Sequence, residues 1–158
     1  MPDADTLCDL QQCREIGLRC AVLNLRKASR VMTRLYEDIM KPSGLLPTQF
    51  SLLVAVRARG PVGITRLAEA LSMDRTTLTR NLRPLAREGL LTIERASGDR
   101  RARQVSLSDA GLARLEVALP LWREAQRRTA ELLGEARLDR LLGDLRAVVE
   151  RGGERLAE

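Results

Sequence analysis

Residues 60–111 have the sequence GPVGITRLAEALSMDRTTLTRNLRPLAREGLLTIERASGDRRARQVSLSDAG. Apolar residues recur at three- and four-residue spacing in its first two segments, which predicts a short helix over 60–71 and a second over 72–90. The remainder alternates apolar and polar residues on both sides of Ala96-Ser97-Gly98-Asp99, which predicts two strands and a turn. Helix, helix and hairpin in this order indicate a winged helix-turn-helix DNA-binding domain.

The second of these helices has an apolar face and a cationic face. At about 100° per residue, Leu78, Leu82 and Leu85 fall on one stripe. The opposite side carries Thr76, Arg80, Arg83 and Arg87. Eight arginines against three acidic residues give the span 75–103 a net charge of +5, nearly all of the chain's +6. A solvated basic face is the ordinary explanation of such a stripe, but the flanking helix and hairpin favour a face directed into a DNA groove.

The turn of the hairpin has the residues of a protruding charged tip. Gly98 can adopt a positive φ, and the carboxylate of Asp99 can hold the guanidinium of Arg101 in one orientation. A held arginine on a thin hairpin suits the narrow minor groove of A·T-rich DNA. An ordinary surface hairpin with a salt bridge is the alternative.

The pattern Asp99-x-Arg101-x-x-x-Val105-x-Leu107-Ser108-x-x-Gly111 resembles the wing signature of the MarR (multiple antibiotic resistance regulator) family, DxRxxxVxLTxxG, with Ser for Thr. GLLPTQFSLL (44–53) and LTRNLRPLAREGLL (78–91) resemble that family's second helix and recognition helix, and the resemblance covers roughly residues 13–150. It implies a homodimeric winged helix-turn-helix transcription factor, usually a repressor. DNA affinity in that family often falls when a small phenolic ligand binds or a cysteine is oxidised.

The expected DNA contacts divide into three groups. The residues expected in the major groove are Arg75, Thr76, Thr79, Arg80 and Arg83. We expect Arg101, oriented by Asp99, to enter the flanking minor groove. Phosphate contacts position a protein without carrying sequence information, and we expect them from Arg87, Arg95, Arg100 and Arg103.

Both ends of the chain are predicted to be helical. Apolar residues at three-and-four spacing predict one long helix over 18–39 and two more after Gly111. A kink is expected at Pro120, a break at Gly134 and a frayed tail at Gly152-Gly153. A central module of about 50 residues cannot cover all their apolar stripes, so we expect an intertwined homodimer. A monomer whose ends pack as a helical hairpin is the alternative.

The predicted fold is therefore mainly α with a small β-hairpin wing (α+β). An N-terminal dimerisation helix is expected over 1–41, the winged helix-turn-helix domain over 42–108 and C-terminal dimerisation helices over 109–158.

The sequence departs from the family pattern at two positions, each of which leads to a structural expectation. Leu46 replaces a capping Thr, so the next helix is expected to begin at Pro47 with poor capping. Pro84 is expected to bend the recognition helix without breaking it.

Three cysteines, Cys8, Cys13 and Cys20, precede or occupy the first helix. If Cys13 and Cys20 share a helix, they lie about 10 Å apart, too far to bridge within one chain, although they can meet across a dimer. Hydroperoxide-sensing members of the family place a reactive cysteine early in this helix. Alignment on Ala28-Ser29-Arg30 and Tyr36 places that reactive position at Val22, which is not a cysteine. We therefore predict packing roles for Cys13 and Cys20 and keep redox sensing as the alternative. C-x4-C-x6-C without histidine indicates no metal site.

An enzyme is the hypothesis that the composition disfavours. The chain has no histidine and no glycine-rich phosphate loop, so no catalytic residue and no cofactor are expected. The chain has only one Phe, one Tyr and one Trp, too few aromatic side chains for a platform on which the bases of single-stranded nucleic acid stack. Its pI near 10.2 favours a polyanionic partner.

The expected partners are a pseudo-palindromic operator on double-stranded DNA, a second copy of the chain and a possible small-molecule effector. No signal peptide and no apolar run of about 20 residues is visible, so we expect a cytoplasmic, nucleoid-associated protein without a membrane partner. A sequence-neutral nucleoid binder is the other DNA-binding hypothesis, but the wing tip offers no apolar wedge for it.

Overall fold

A computed structural model gives the structure of the protein and describes residues 9–96 and 99–156, without the side chains of residues 96, 99–102 and 154–156. The helices are α1 (Leu10–Arg19), α2 (Ala21–Met40), α3 (Pro47–Arg59), α4 (Ile64–Ala70), α5 (Arg75–Arg87), α6 (Asp109–Leu133) and α7 (Glu135–Leu156). A 3₁₀ turn at Lys41–Ser43 follows α2. The strands are β1 (Val62–Gly63), β2 (Leu91–Ala96) and β3 (Asp99–Leu107). This mostly helical chain with a small sheet confirms the winged-helix prediction.

The three strands form one antiparallel sheet in the order β1-β3-β2. Val105 in the central strand pairs with Val62 on one side and with Ile93 on the other. The β2–β3 register runs regularly from the pair Leu91–Leu107 to the pair Arg95–Arg103 and shifts after Arg95. The hairpin thus projects from an apolar base towards a charged end.

An aliphatic core joins α3, α4, α5 and the sheet. Its fully buried side chains include Leu53, Leu67, Leu82 and Val105. The rings of Phe50 and Trp122 stack with centroids 6.3 Å apart and so attach α6 to this core. About one turn further along α6, the Tyr36 hydroxyl of α2 donates a hydrogen bond to Oε1 of Gln126. The core therefore holds α5 and the hairpin in one body with α6.

The prediction of one long N-terminal helix over 18–39 is wrong. The chain leaves helical geometry at Cys20 (ψ 110°), which separates α1 from α2. The side-chain amide of Asn24 donates to the carbonyl oxygens of Gly17, Leu18 and Cys20 at 3.4, 3.2 and 2.9 Å. It thus donates to the carbonyls of Gly17 and Leu18 at the end of α1, where helical partners are lost, whereas the Cys20 carbonyl also accepts from the Asn24 backbone amide at 3.1 Å. Cys13 and Cys20 do not share a helix, so the 10 Å estimate does not apply.

Two helix boundaries and the continuity of α5 behave as predicted. Helix α3 begins at Pro47, and Leu46 supplies no side-chain cap. Instead, the Leu46 amide donates to Oε1 of Gln49 at 2.9 Å, which satisfies one amide near the helix start. Helix α5 runs without interruption through Pro84, so that proline does not break it. Gly134 (φ 81°) ends α6 as expected.

Two further boundaries differ from the predictions. The helix predicted over 60–71 begins only at Ile64, because Val62 and Gly63 pair with β3 as a third strand. The predicted frayed tail is also wrong, since α7 continues through Gly152 and Gly153. Each glycine costs a helix about 1 kcal/mol relative to alanine, which a long preceding helix can bear. Within the ranges 9–96 and 99–156, no helix is both long and apolar enough to cross a membrane.

Candidate nucleic-acid interface

Asp74 caps the first turn of α5. Its Oδ1 accepts a hydrogen bond from the Thr77 amide at 2.8 Å. Hydrogen bonds from the side chain and backbone of Thr77 hold the pKa of Asp74 below its usual value, so the carboxylate is charged at neutral pH. A charged cap satisfies an orphan amide and stabilises the positive end of the helix dipole. The sequence prediction did not single out this residue, although an Asp before a helix is a recognisable signal.

Helix α5 has the two faces that its periodicity predicts. Leu78, Leu82 and Leu85 are all 0% exposed and form the buried face. The outer face exposes Arg75, Thr76, Arg80, Arg83 and Arg87, while Thr79 is half-buried. The Thr79 hydroxyl donates to the carbonyl oxygen of Arg75 at 2.8 Å, which fixes that side chain against the first turn. The arginines are thus carried on a helix whose inner side is immobilised by the core.

The predicted major-groove residues lie together. A shallow surface depression of about 480 Å³ is lined by Arg75, Thr76, Thr79, Arg80 and Arg83. A second depression, of about 670 Å³, lies between the C-terminal half of α5 and β2. It is lined by Arg80, Arg83, Pro84, Ala86, Arg87 and Ile93. Pro84, Ala86 and Ile93 were not among the residues predicted for this surface.

The wing brings two more of the predicted arginines together. Arg95 and Arg103 are directly paired across β2 and β3, and both are exposed. Like charges in opposite positions on a sheet repel each other, so this pair is unfavourable unless an anion lies nearby. Asp99, Arg100 and Arg101 belong to β3 by their backbone, but their side chains lie outside the described residues. The predicted contact between the side chains of Asp99 and Arg101 therefore also lies outside the described residues.

The arginines of this surface whose side chains the structure describes form no ion pairs with acidic residues. Among the side chains that the structure describes, no ion pair involves Arg75, Arg80, Arg83, Arg87, Arg95 or Arg103. By contrast, Glu124 on α6 pairs with both Arg127 and Arg128, which together hold the pKa of Glu124 at about 2. We call the six unpaired residues the arginine surface. It is a concentration of uncompensated positive charge on one helix and the adjoining hairpin.

The cysteines and carboxylates form no comparable cluster. Cys13 in α1 is exposed, Cys20 is a half-buried thiol at the break between α1 and α2, and Cys8 lies outside the described residues. Within the described part of the chain, no three His, Cys, Asp or Glu side chains are grouped so that they could hold a metal ion.

Comparison with known proteins supplies relatives over most of the chain. The model of the MarR family matches residues 45–102, which include α3, α4, α5 and β2. The crystal structure of the transcriptional regulator MosR of Mycobacterium tuberculosis in complex with DNA superimposes with a TM-score of 0.74. It is 34% identical in sequence, and the match covers 84% of this chain and 98% of MosR.

Two curated regulators match over shorter regions. The chain is 27% identical to the organic hydroperoxide resistance transcriptional regulator of Bacillus subtilis over 61% of its length. It is 30% identical to the transcriptional repressor NicR of Pseudomonas putida over 63% of its length. The matched regions span 66% and 63% of those two proteins, respectively.

Proposed function

Because the chain belongs to the MarR family of transcriptional regulators, we propose that it is a homodimeric transcriptional repressor. It binds a pseudo-palindromic operator on double-stranded DNA and is released from the operator by a small ligand. The observation that carries the proposal is the arginine surface. Uncompensated arginines on a helix and a hairpin are suited to displace counterions from DNA phosphates and to donate hydrogen bonds to base edges. MosR, which shares the fold and a third of the sequence, has been solved with DNA.

The proposed contacts follow the positions of the arginines. The depression at the N-terminal half of α5 (Arg75, Thr76, Thr79, Arg80, Arg83) is directed into the major groove, where arginine can bond guanine in a bidentate manner. Arg101, which we propose is oriented by Asp99, enters the minor groove. Arg87, Arg95, Arg100 and Arg103 contact phosphates and position the domain.

Dimerisation is proposed from the apolar surface of the end helices. Leu10 and Leu18 on α1 are 79% and 81% exposed, and Val148 and Val149 on α7 are 60% and 55% exposed. Apolar side chains this exposed on both end helices argue against a monomer whose ends cover each other. A second copy would cover them, with residues 1–41 and 109–158 as dimerisation segments around a DNA-binding domain at 42–108.

Dimerisation predicts a native mass of twice the 17.6 kDa chain, measured by light scattering. Val149→Asp should shift the protein towards the monomer, because a carboxylate would be buried in the apolar interface. Arg140→Asp on the opposite side of α7 is the matched control and should leave the mass unchanged. A wild-type chain that remains monomeric at micromolar concentration contradicts the proposal.

Operator recognition is tested by selecting duplexes from a random-sequence pool with the wild-type protein. A specific repressor should enrich an inverted repeat that competes against random DNA, with an affinity that falls steeply with salt. A sequence-neutral nucleoid binder would enrich none. Relatives of the chain are regulators, and we propose that it acts on the nucleoid in the cytoplasm without cofactor or enzymatic activity.

A thiol-switched repressor is the second candidate, favoured by the similarity to the organic hydroperoxide regulator and by the half-buried Cys20 thiol. We expect the cysteines to have packing roles in the dimer, so stoichiometric peroxide should leave DNA affinity unchanged. The measurement is operator binding before and after peroxide, with a non-reducing gel, in the wild type and in Cys8→Ser, Cys13→Ser and Cys20→Ser. Reversible loss of binding that one of these substitutions abolishes would establish the thiol switch instead.

A further inference from the structure

Helix α5 ends in a defined C-terminal motif. Gly89 adopts a left-handed conformation (φ 73°), and its amide donates to the carbonyl oxygen of Ala86 at 3.1 Å. The amide of Leu90 donates to the carbonyl oxygen of Leu85 at 2.9 Å. This is the Schellman arrangement, and the buried side chains of Leu85 and Leu90 supply the apolar contact that accompanies it. The end of the arginine-bearing helix is therefore stiff.

A single hydroxyl joins this stiff end to the start of α6. Ser108 is the N-cap of α6, and its Oγ accepts a hydrogen bond from the Gly111 amide at 3.0 Å. The same hydroxyl donates to the carbonyl oxygen of Gly89 at 2.6 Å. The Ser108 amide donates to the carbonyl oxygen of Leu90 at 3.2 Å. One side chain thus caps α6 and binds the segment that ends α5.

Gly111 allows the two segments to approach this closely. It is buried, and a Cβ added there would lie 2.1 Å from the carbonyl oxygen of Leu90 and 2.8 Å from Cδ1 of Leu107. The Leu107 side chain could shift to relieve the second contact, but the first cannot be relieved without movement of the backbone. The first turn of α6 can therefore lie against the α5–β2 corner only because this position has no side chain.

We propose that Ser108 and Gly111 are positioning residues that fix the angle between α5 and α6, and through it the half-site spacing that the dimer accepts. This inference rests on the proposed dimeric DNA binding. Helix α6 packs against α7, which carries part of the exposed apolar surface, whereas α5 carries the arginines. A rigid corner between α5 and α6 transmits the geometry of the dimer to the arginine surface. Because α6 also packs against α3, loss of the hydroxyl loosens the angle without detaching the helix.

The half-site spacing is a sensitive measure of this angle. One base pair moves a half-site by about 3.4 Å along the DNA axis and rotates it by roughly 35°. A stiff dimer should therefore bind one spacing and reject its neighbours, whereas a dimer with a loose corner should accept several.

The experiment compares four proteins on one set of duplexes. The duplexes carry the inverted repeat that the wild type selects from a random pool, with the spacer changed by up to two base pairs in either direction. The proteins are the wild type, Ser108→Ala, Ser108→Thr and, as the control, Ser51→Ala. The Ser51 hydroxyl donates at 2.9 Å to the Pro47 carbonyl oxygen of its own helix, so its removal touches no corner between elements. Light scattering and thermal unfolding check that each variant is a folded dimer.

The wild type and Ser51→Ala should prefer the best spacing by at least about tenfold. Ser108→Ala should lose about fivefold in affinity for that duplex and reduce the preference to below about threefold. Ser108→Thr keeps the hydroxyl and should restore the wild-type profile.

Two outcomes would overturn this inference and leave the proposed function standing. In the first, Ser108→Ala keeps the wild-type affinities. In the second, it weakens binding equally at every spacing, as a merely structural residue would. A wild type that selects no inverted repeat contradicts the proposed function itself, and the inference with it.

Discussion

Replacing Arg80 by alanine is expected to weaken operator binding by about 1–3 kcal/mol, roughly 5- to 150-fold, and to relax the sequence preference at one position in each half-site. Arg80 is exposed in the middle of α5, lines both surface depressions and has no ion-pair partner among the described side chains. Its guanidinium is therefore available for a bidentate contact with a base. The loss should fall on the preferred sequence and much less on random DNA.

Arg87→Ala is the matched control, since it removes the same charge from the last turn of the same helix. A phosphate contact predicts weaker binding to all sequences about equally and a salt dependence reduced by roughly one unit per protomer. Both variants are measured on the selected duplex and on random duplexes over a series of salt concentrations. If Arg80→Ala and Arg87→Ala behave alike, the division between base and phosphate contacts is wrong.

Replacing Leu82 by alanine should lower the free energy of unfolding by about 2–5 kcal/mol. The Leu82 side chain is 0% exposed and lies on the inner face of α5, directly beneath the arginine surface. Its truncation would leave a cavity between α5 and the rest of the core. Urea unfolding at one fixed protein concentration measures the change, because the stability of a dimer depends on concentration.

Val54→Ala is the control for this substitution. Val54 lies on α3 and is 42% exposed, so its truncation should change the free energy of unfolding by only about 0.5 kcal/mol. A loss below about 1 kcal/mol for Leu82→Ala would mean that α5 is not held by its apolar face. The arginines would then not have the fixed platform on which the proposed base contacts depend.

Much of the candidate interface could be predicted because its information is local. The two faces of α5 follow from the helical period, which places Leu78 and Leu82 on one side and Arg80 and Arg83 on the other. The hairpin follows from its alternation, and the start of α3 from the restricted geometry of Pro47. The unpaired state of the arginines was not predictable, because Glu88 and Glu94 stand close to them in the sequence. Only the folded positions show that these carboxylates form no ion pairs with the described arginines.

By itself, then, the sequence determined the fold class, the two-faced recognition helix and the hairpin, since each depends on periodicity within one segment. Tertiary structure decided the features that join distant segments. The strand at Val62 is too short to show any alternation and exists because Val105 pairs with it. The helix break at Cys20 depends on where the Asn24 side chain folds back. The corner of Ser108 and Gly111 depends on a backbone contact with Leu90 that spacing along the chain cannot encode, because hydrogen bonds and steric exclusion act through space.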